Sequence, residues 1–255
     1  MDKSLLLQTA IAAAKAGEAI IQHYYRHNVG VTLKEDRTPV TVADVETERA
    51  IHAVLQGAYP DFGFYGEETA RVNLDADYLW LVDPIDGTKS FIREYPFFST
   101  QIALMHRGSL VLGVSNAPLF GEMAYAERGF GAFLNERPLG VSEVADLGQA
   151  TLSLGNINTL ARDPRRWGAL GALIPRCNRV RGYGDFYHYH LLAAGKIDAV
   201  VESDVNILDI AALSVIVAES GGQMTALDGG AIGLETTGVR ATNGPLHDPL
   251  RFGLA

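Results

Sequence analysis

An apolar run, Tyr78-Leu79-Trp80-Leu81-Val82, passes without a break into Asp83-Pro84-Ile85-Asp86-Gly87-Thr88-Lys89-Ser90-Phe91, and this stretch constrains the chain more than any other. The run has the length and composition of a buried strand. An ordinary Asp-Gly turn would end such a strand. It would not explain two acids three residues apart astride a proline, whose φ is fixed and which has no N–H to give. A strand end that presents Asp83, the Ile85 carbonyl and Asp86 to one point has the donor set of a hard-cation site, because Mg²⁺ takes oxygen ligands in near-octahedral geometry. Gly87 then lets the backbone approach an anion closely, and the amides from Thr88 onward would open a helix toward a phosphate. An EF-hand loop is excluded: its third position would be Ile85, and the glycine falls at the fifth.

The segment before this motif supplies further carboxylates. Ser4 to His27 reads as one amphipathic helix capped by Ser4, because its apolar spacing continues past any signal-peptide cleavage point. Val31 to Lys34 is a short strand and Glu35 to Pro39 a polar loop. Val40 to Asp44 leads into a helix over Val45 to Tyr59, which Pro60 ends. Asp44 lies where a helix cap would lie. Phe62 to Tyr65 reads as a strand that Gly66-Glu67-Glu68-Thr69 closes. The spacing from Glu67 to Asp83 lets the Tyr78 to Val82 strand run beside it, so that Glu67 joins the aspartates. Bare carboxylates that close repel, and a cation relieves the repulsion.

From Phe97 the pattern changes to short apolar runs, Phe97 to Met105, Leu110 to Ala117, Glu122 to Glu127 and Gly131 to Leu134, with linkers of hairpin size. This is an antiparallel meander. A polar break at Asp146 to Gln149 divides the chain into an α+β half, 1–146, and an α/β half, 147–255, with the site between them. The second half alternates strand and helix: strands at Thr151 to Leu154, Arg179 to Val180 and Ala199 to Glu202, and helices at Pro164 to Leu173, Phe186 to Ala194 and Ile207 to Ser220. Asp209 falls in the first turn of the last helix, where it suits the dipole, and Gly221-Gly222 stops that helix. A weak strand near Val239 to Thr242 and a helical tail from Leu246 complete the chain. His188 and His190, two apart, would face different sides of a helix, and surface or packing roles fit all seven histidines.

A formal charge of −9 with no basic run argues against nucleic acid or anionic lipid as partner. An acidic protein that handles phosphate needs local neutralisation, which metal ions provide. Cys177 is the only cysteine, so no internal disulfide forms. No run approaches the ~20 apolar residues of a membrane span. The expected location is the cytoplasm and the expected partner a small-molecule phosphate ester.

In combination, Gly66-Glu67-Glu68, Asp83-Pro84-Ile85-Asp86-Gly87-Thr88 and Leu208-Asp209-Ile210-Ala211-Ala212 resemble the inositol monophosphatase family of lithium-sensitive, Mg²⁺-dependent phosphomonoesterases. Pro39 to Asp44 and Glu219-Ser220-Gly221-Gly222 extend the resemblance over nearly the whole chain. It implies a layered αβαβα sandwich of the inositol monophosphatase and fructose-1,6-bisphosphatase type, usually a homodimer. It also implies that Glu67, Asp83 and the Ile85 carbonyl hold one Mg²⁺ and that Asp83, Asp86 and Asp209 hold a second, with Glu67 serving a weaker third. Asp44 would bind Thr88, Thr88 with Glu67 would orient the attacking water, and Asp86, Gly87 and Thr88 would line the phosphate. Leu208 stands where the family commonly has Trp or Tyr, so it gives less to pin Asp209. Gly182-Tyr183-Gly184-Asp185-Phe186-Tyr187 stands where inositol phosphatases usually carry small neutral residues. With Thr88-Lys89-Ser90-Phe91 it looks closer to the histidinol-phosphate phosphatase branch. Glu202, seven residues before Asp209, takes the position of a carboxylate for the far end of the substrate.

Histidinol phosphate is therefore the expected substrate and inositol 1-phosphate the runner-up. Asp185 has a second reading as the cap of the helix from Phe186. A non-catalytic phosphate-binding member of the family would be expected to have lost a ligand or Thr88, and none is lost.

Overall fold

The computed structural model describes residues 2–27, 31–33, 39–69 and 71–250. Two helices, α1 (Leu5–Tyr24) and α2 (Val42–Ala58), open it. The Ser4 hydroxyl caps α1 by accepting from the Leu7 N–H. Helix α2 starts ahead of the expected Val45, because the Thr41 hydroxyl accepts from the Ala43 and Asp44 N–H groups while Asp44 accepts from the Thr41 N–H. That reciprocal arrangement satisfies donors a helix start leaves orphaned.

The large sheet has eight strands, in the order Arg137–Pro138, Gly131–Leu134, Glu122–Glu127, Ser109–Ala117, Ser99–His106, Tyr78–Asp86, Gly63–Gly66 and Arg71–Val72. The expected meander forms its antiparallel body, with its first strand beginning at Ser99 rather than Phe97. Gly63–Gly66 runs parallel to Tyr78–Asp86, with Gly66 opposite Val82. Alternation along the strand sorts its side chains: Trp80 and Val82 pack with Leu7, Ala14, Ile51 and Leu55 of α1 and α2, and Leu79 and Leu81 face the other way.

The short helix α3 (Thr88–Ile92) follows the central strand, and α4 (Asn158–Arg162), α5 (Pro164–Leu173), α6 (Asp185–Ala193) and α7 (Ile207–Glu219) belong to the second half. The small sheet orders its strands Arg179–Arg181, Thr151–Gly155, Ala199–Ser203, Gly238–Thr242 and Gln223–Ala226. Helix α7 is apolar all round because it lies between the sheets. Its Ile207, Leu208, Ala211 and Ala212 meet Leu79, Leu81, Ala103 and Met105, while Ile210, Leu213 and Val217 meet Val200, Val239 and Ala241. Leu160, Leu170 and Leu173 of α4 and α5 cover the outer face of the small sheet. The layers are α1 and α2, large sheet, α6 and α7, small sheet, α4 and α5: the expected αβαβα sandwich.

Four strands were not anticipated, among them Arg71–Val72 beside Gly63–Gly66 and Arg137–Pro138 beside Gly131–Leu134. Val31–Leu33 pairs antiparallel with Pro39–Thr41, and Gln223–Ala226, only four residues long and directly behind the Gly221-Gly222 helix stop, joins the small sheet. Leu246 to Leu250 forms turns rather than helix, and 251–255 lie outside the described residues, as does most of the expected loop Glu35 to Pro39. Among the described residues no helix is long and apolar enough to cross a membrane.

Candidate active site

In a regular strand, residues three apart point to opposite faces. Asp83 and Asp86 do not, because the ladder slips between them: Asp83 pairs with Gln101 and Asp86 with Ser99, so three steps on one strand match two on the other. Pro84 and Ile85 carry this bulge, a place where a residue without an N–H costs no ladder bond. The Thr100 hydroxyl ties the freed Pro84 carbonyl at 2.8 Å. Both aspartates thus turn toward the α7 side of the sheet. Gly87 closes the strand at φ 92°, and a Cβ there would lie 2.6 Å from the Phe97 carbonyl, so only glycine fits.

Helix α7 brings Asp209 to the same point. Asn206 caps the helix, and Asp209 accepts from the Asn206 N–H at 2.8 Å and from its side-chain amide at 2.9 Å. Asp209 is therefore pinned by Asn206, and Leu208 packs into the core between α7 and the large sheet instead of pinning it. One oxygen from each of Asp83, Asp86 and Asp209 lies within 4.8 Å of the others.

Asp44 has both of its anticipated roles at once. Its Oδ2 serves the capping box with Thr41, and its Oδ1 accepts from the Thr88 hydroxyl at 3.2 Å. The same hydroxyl lies 3.1 Å from the Ile85 carbonyl, its alternative acceptor. The Glu67 N–H donates to the Val82 carbonyl, which holds Glu67 at the head of the parallel pair beside Asp83. One turn beyond Asp44, Glu48 is fully buried and accepts from the N–H groups of Glu68 and Thr69 at 2.6 and 2.7 Å. Sequence reasoning passed over Glu48, although its spacing of four from Asp44 puts both acids on one helix face.

Asp185 and Glu202 share a cavity with Asp86, Asp209, Asn156 and Tyr189. The capping role considered for Asp185 fails: Gly184 holds the cap position of α6 without a side-chain bond, and Asp185 is the first helical residue at φ 47°. Asp tolerates that left-handed conformation better than most residues. His188 and His190 point to different sides, the first to Ser153 and Glu202, the second to Ser115 and Glu122.

So many acids in little water raise one another's proton affinity. Burial first, then the charges of Glu67, Asp86 and Asp209, lift Asp83 well above the usual carboxylate range. Burial and then Asp209, Asp185, Glu202 and Glu67 do the same to Asp86. Burial raises Asp209 to about 7, and burial with the charge of Glu202 raises Asp185 to about 6. The Asp83 Oδ1 is buried and without a hydrogen-bond partner among the described residues. An orphaned carboxylate oxygen within reach of two more carboxylates fits a hard divalent cation.

A layered αβαβα fold with acids gathered from a strand bulge and a helix start defines a class, and comparison with known proteins assigns it. The model of the inositol monophosphatase family matches residues 2–253. A histidinol-phosphatase from Mycobacterium tuberculosis is 39% identical, over 96% of this chain and 95% of its own. One from Chlorobaculum parvum is 38% identical, over 85% and 83%. Among solved structures, the extragenic suppressor protein SuhB of Bartonella henselae superposes with a TM-score of 0.89 at 31% identity, over 98% of each chain. The chain belongs to the inositol monophosphatase family and is a phosphoric monoester hydrolase.

Proposed function

We propose that the protein hydrolyses L-histidinol phosphate to L-histidinol, using two or three Mg²⁺ ions held by Glu67, Asp83, the Ile85 carbonyl, Asp86 and Asp209. The observation that carries the substrate is the pair of carboxylates, Asp185 and Glu202, in one cavity with Asp86 and Asp209. Histidinol phosphate carries an ammonium, and near neutral pH a partly protonated imidazole, opposite its phosphate, whereas inositol phosphate offers hydroxyls only. Carboxylates reward a cation more than a hydroxyl. The names of the two relatives agree.

A divalent cation in this site supplies Lewis acidity, which eases deprotonation of the attacking water and offsets charge on the phosphoryl oxygens. The protein's own groups position and relay. Thr88 accepts a proton from the water while its hydroxyl hydrogen is directed to Asp44. Burial raises the proton affinity of Asp44, which suits it to hold that proton. Gly87 and the first amides of α3 line the phosphate. The enzyme works as a cytoplasmic homodimer in this reading, and its single cysteine suits a reducing compartment.

A phosphate-release screen over L-histidinol phosphate, inositol 1-phosphate, glycerol phosphate, a sugar bisphosphate and a nucleoside 3′-phosphate tests the proposal. Faster turnover of inositol 1-phosphate than of L-histidinol phosphate would end it. Asp185→Asn should depress kcat/KM for L-histidinol phosphate roughly ten- to a hundredfold, the value of a charge-assisted hydrogen bond. Glycerol phosphate hydrolysis should hardly change, and equal losses on both esters would make Asp185 a support of the fold.

A second prediction follows from the raised acids. A carboxyl that is more basic folded than unfolded binds protons in the native state that the unfolded chain releases, so stability falls as pH rises from its unfolded to its folded value. For Asp209 that window runs from 3.8 to about 7, and for Asp185 from 3.8 to about 6. In chelator the melting temperature should therefore drop between pH 5 and 8, and Mg²⁺ should raise it more at pH 8 than at pH 5. A Mg²⁺-induced rise that is larger at pH 5 would contradict this.

A further inference from the structure

Glu202 lies on the Ala199–Ser203 strand, almost completely buried, and two adjacent residues of α6 donate to the same one of its oxygens. His188 Nε2 is 3.1 Å and the Tyr189 hydroxyl 2.8 Å from Oε2. Oε1 accepts no hydrogen bond among the described residues and lies over Gly155, where a Cβ would collide with it. A buried carboxylate with both donors on one oxygen has its plane fixed and its second oxygen left to a ligand.

The arrangement continues behind the histidine. His188 Nδ1 is 3.3 Å from the Ser153 hydroxyl, which accepts from the Tyr183 N–H at 3.2 Å. A donor is needed at Nε2 to face a carboxylate, so the neutral ring carries its hydrogen there and Nδ1 accepts from Ser153. Each group from the Tyr183 N–H to the Glu202 Oε2 is then paired, and the chain joins Glu202 to the Tyr183-Gly184-Asp185 turn. Burial and the charge of Glu202 hold the Tyr189 phenol well above its usual value, so it stays a donor. A histidine and a tyrosine hydroxyl buried only for packing would be costlier than apolar residues of the same size.

We infer that His188 and Tyr189 are positioning residues for substrate specificity: they aim Glu202 at the cationic end of the substrate, and they act only through it. The inference rests on the reading of Glu202 as the recognition group for that end. The hydrogen bonds of both side chains go to Glu202 and Ser153 rather than to Asp86 or Asp209, so the effect falls on discrimination between esters rather than on the chemical step.

Tyr189→Phe deletes one hydroxyl and keeps the ring, which makes it the cleanest probe. It is compared with Glu202→Gln and with the double variant, using L-histidinol phosphate and glycerol phosphate. Tyr189→Phe should raise KM for L-histidinol phosphate roughly tenfold with little change in kcat, and the loss on glycerol phosphate should be several times smaller. With Glu202→Gln already present, the further loss should shrink to less than about twofold, because residues acting as a unit are non-additive. His188→Gln, which keeps a donor near Nε2, should retain more discrimination than His188→Leu. Additive losses in the double variant, or equal single-variant losses on both esters, would overturn the inference. A wild type no faster on L-histidinol phosphate than on glycerol phosphate would overturn the substrate reading instead. The double-variant comparison would then decide the positioning role on whichever ester Glu202→Gln impairs most.

Discussion

Asp86→Asn should lower phosphate release by about 10³-fold or more, the scale on which losing one preorganised charge-stabilising group acts, while leaving a folded protein. The substitution keeps the size of the side chain and removes one negative charge from a place where Asp83, Asp86 and Asp209 bring oxygens within 4.8 Å. In the proposed reading, cations at this place would lose the charge that holds them and sets their geometry. The effect on the metal-free protein has the opposite sign. Burial and four neighbouring acids hold Asp86 well above the usual carboxylate range, so the fold already disfavours its ionised form. A neutral amide relieves that repulsion, and the melting temperature in chelator should stay level or rise. The rise that Mg²⁺ gives the wild type should shrink in the variant. Turnover near the wild-type level, or a variant that melts several degrees lower in chelator, would show that Asp86 belongs to the fold rather than to the site.

Thr88→Val should slow the chemical step by ~10² to 10⁴, the usual worth of a positioned proton-transfer group, with KM little changed. Valine keeps the β-branch at the start of α3 and deletes the hydroxyl that lies between Asp44 and the Ile85 carbonyl. Steady-state kinetics with saturating Mg²⁺ separates the possibilities. A fall in kcat alone marks a relay, a rise in KM alone marks a phosphate contact, and an unchanged kcat reduces Thr88 to a structural residue.

Much of this was legible in the residues. The apolar run into Asp83 and Asp86 fixed the central strand, and the run of short apolar segments after Phe97 fixed the meander. The spacing from Glu67 to Asp83 correctly brought two neighbouring strands together. The family resemblance supplied the five-layer order, which periodicity alone does not reveal. What escaped notice has physical causes. Gln223–Ala226 is a partly exposed strand of four residues behind the Gly221-Gly222 helix stop, and its polar-apolar alternation is too short to stand out. The bulge at Pro84 and Ile85 is a property of pairing with Ser99 and Gln101, and no local pattern announces it. Glu48, His188 and Tyr189 act on backbone amides or on another acid at long range, and each alone reads as an ordinary helix residue. For Asp44 and Asp209, a helix cap and the proposed site role do not exclude each other, since the carboxylate that closes each capping box also reaches Thr88 or the aspartate cluster.

That double duty ties the site to local unfolding. Asp44 and Asp209 sit at the third position of α2 and α7, and each closes its own capping box. Helix ends fray in far less than the time of global unfolding, and when either first turn opens, the carboxylate that leaves its cap also leaves the site. In the proposed reading, the centre stays assembled only while both helix starts stay closed. A ligand that binds the acids should slow that fraying, so the amide hydrogens of Thr41 and Asn206, which donate to these carboxylates, should exchange with solvent more slowly in Mg²⁺ than in chelator.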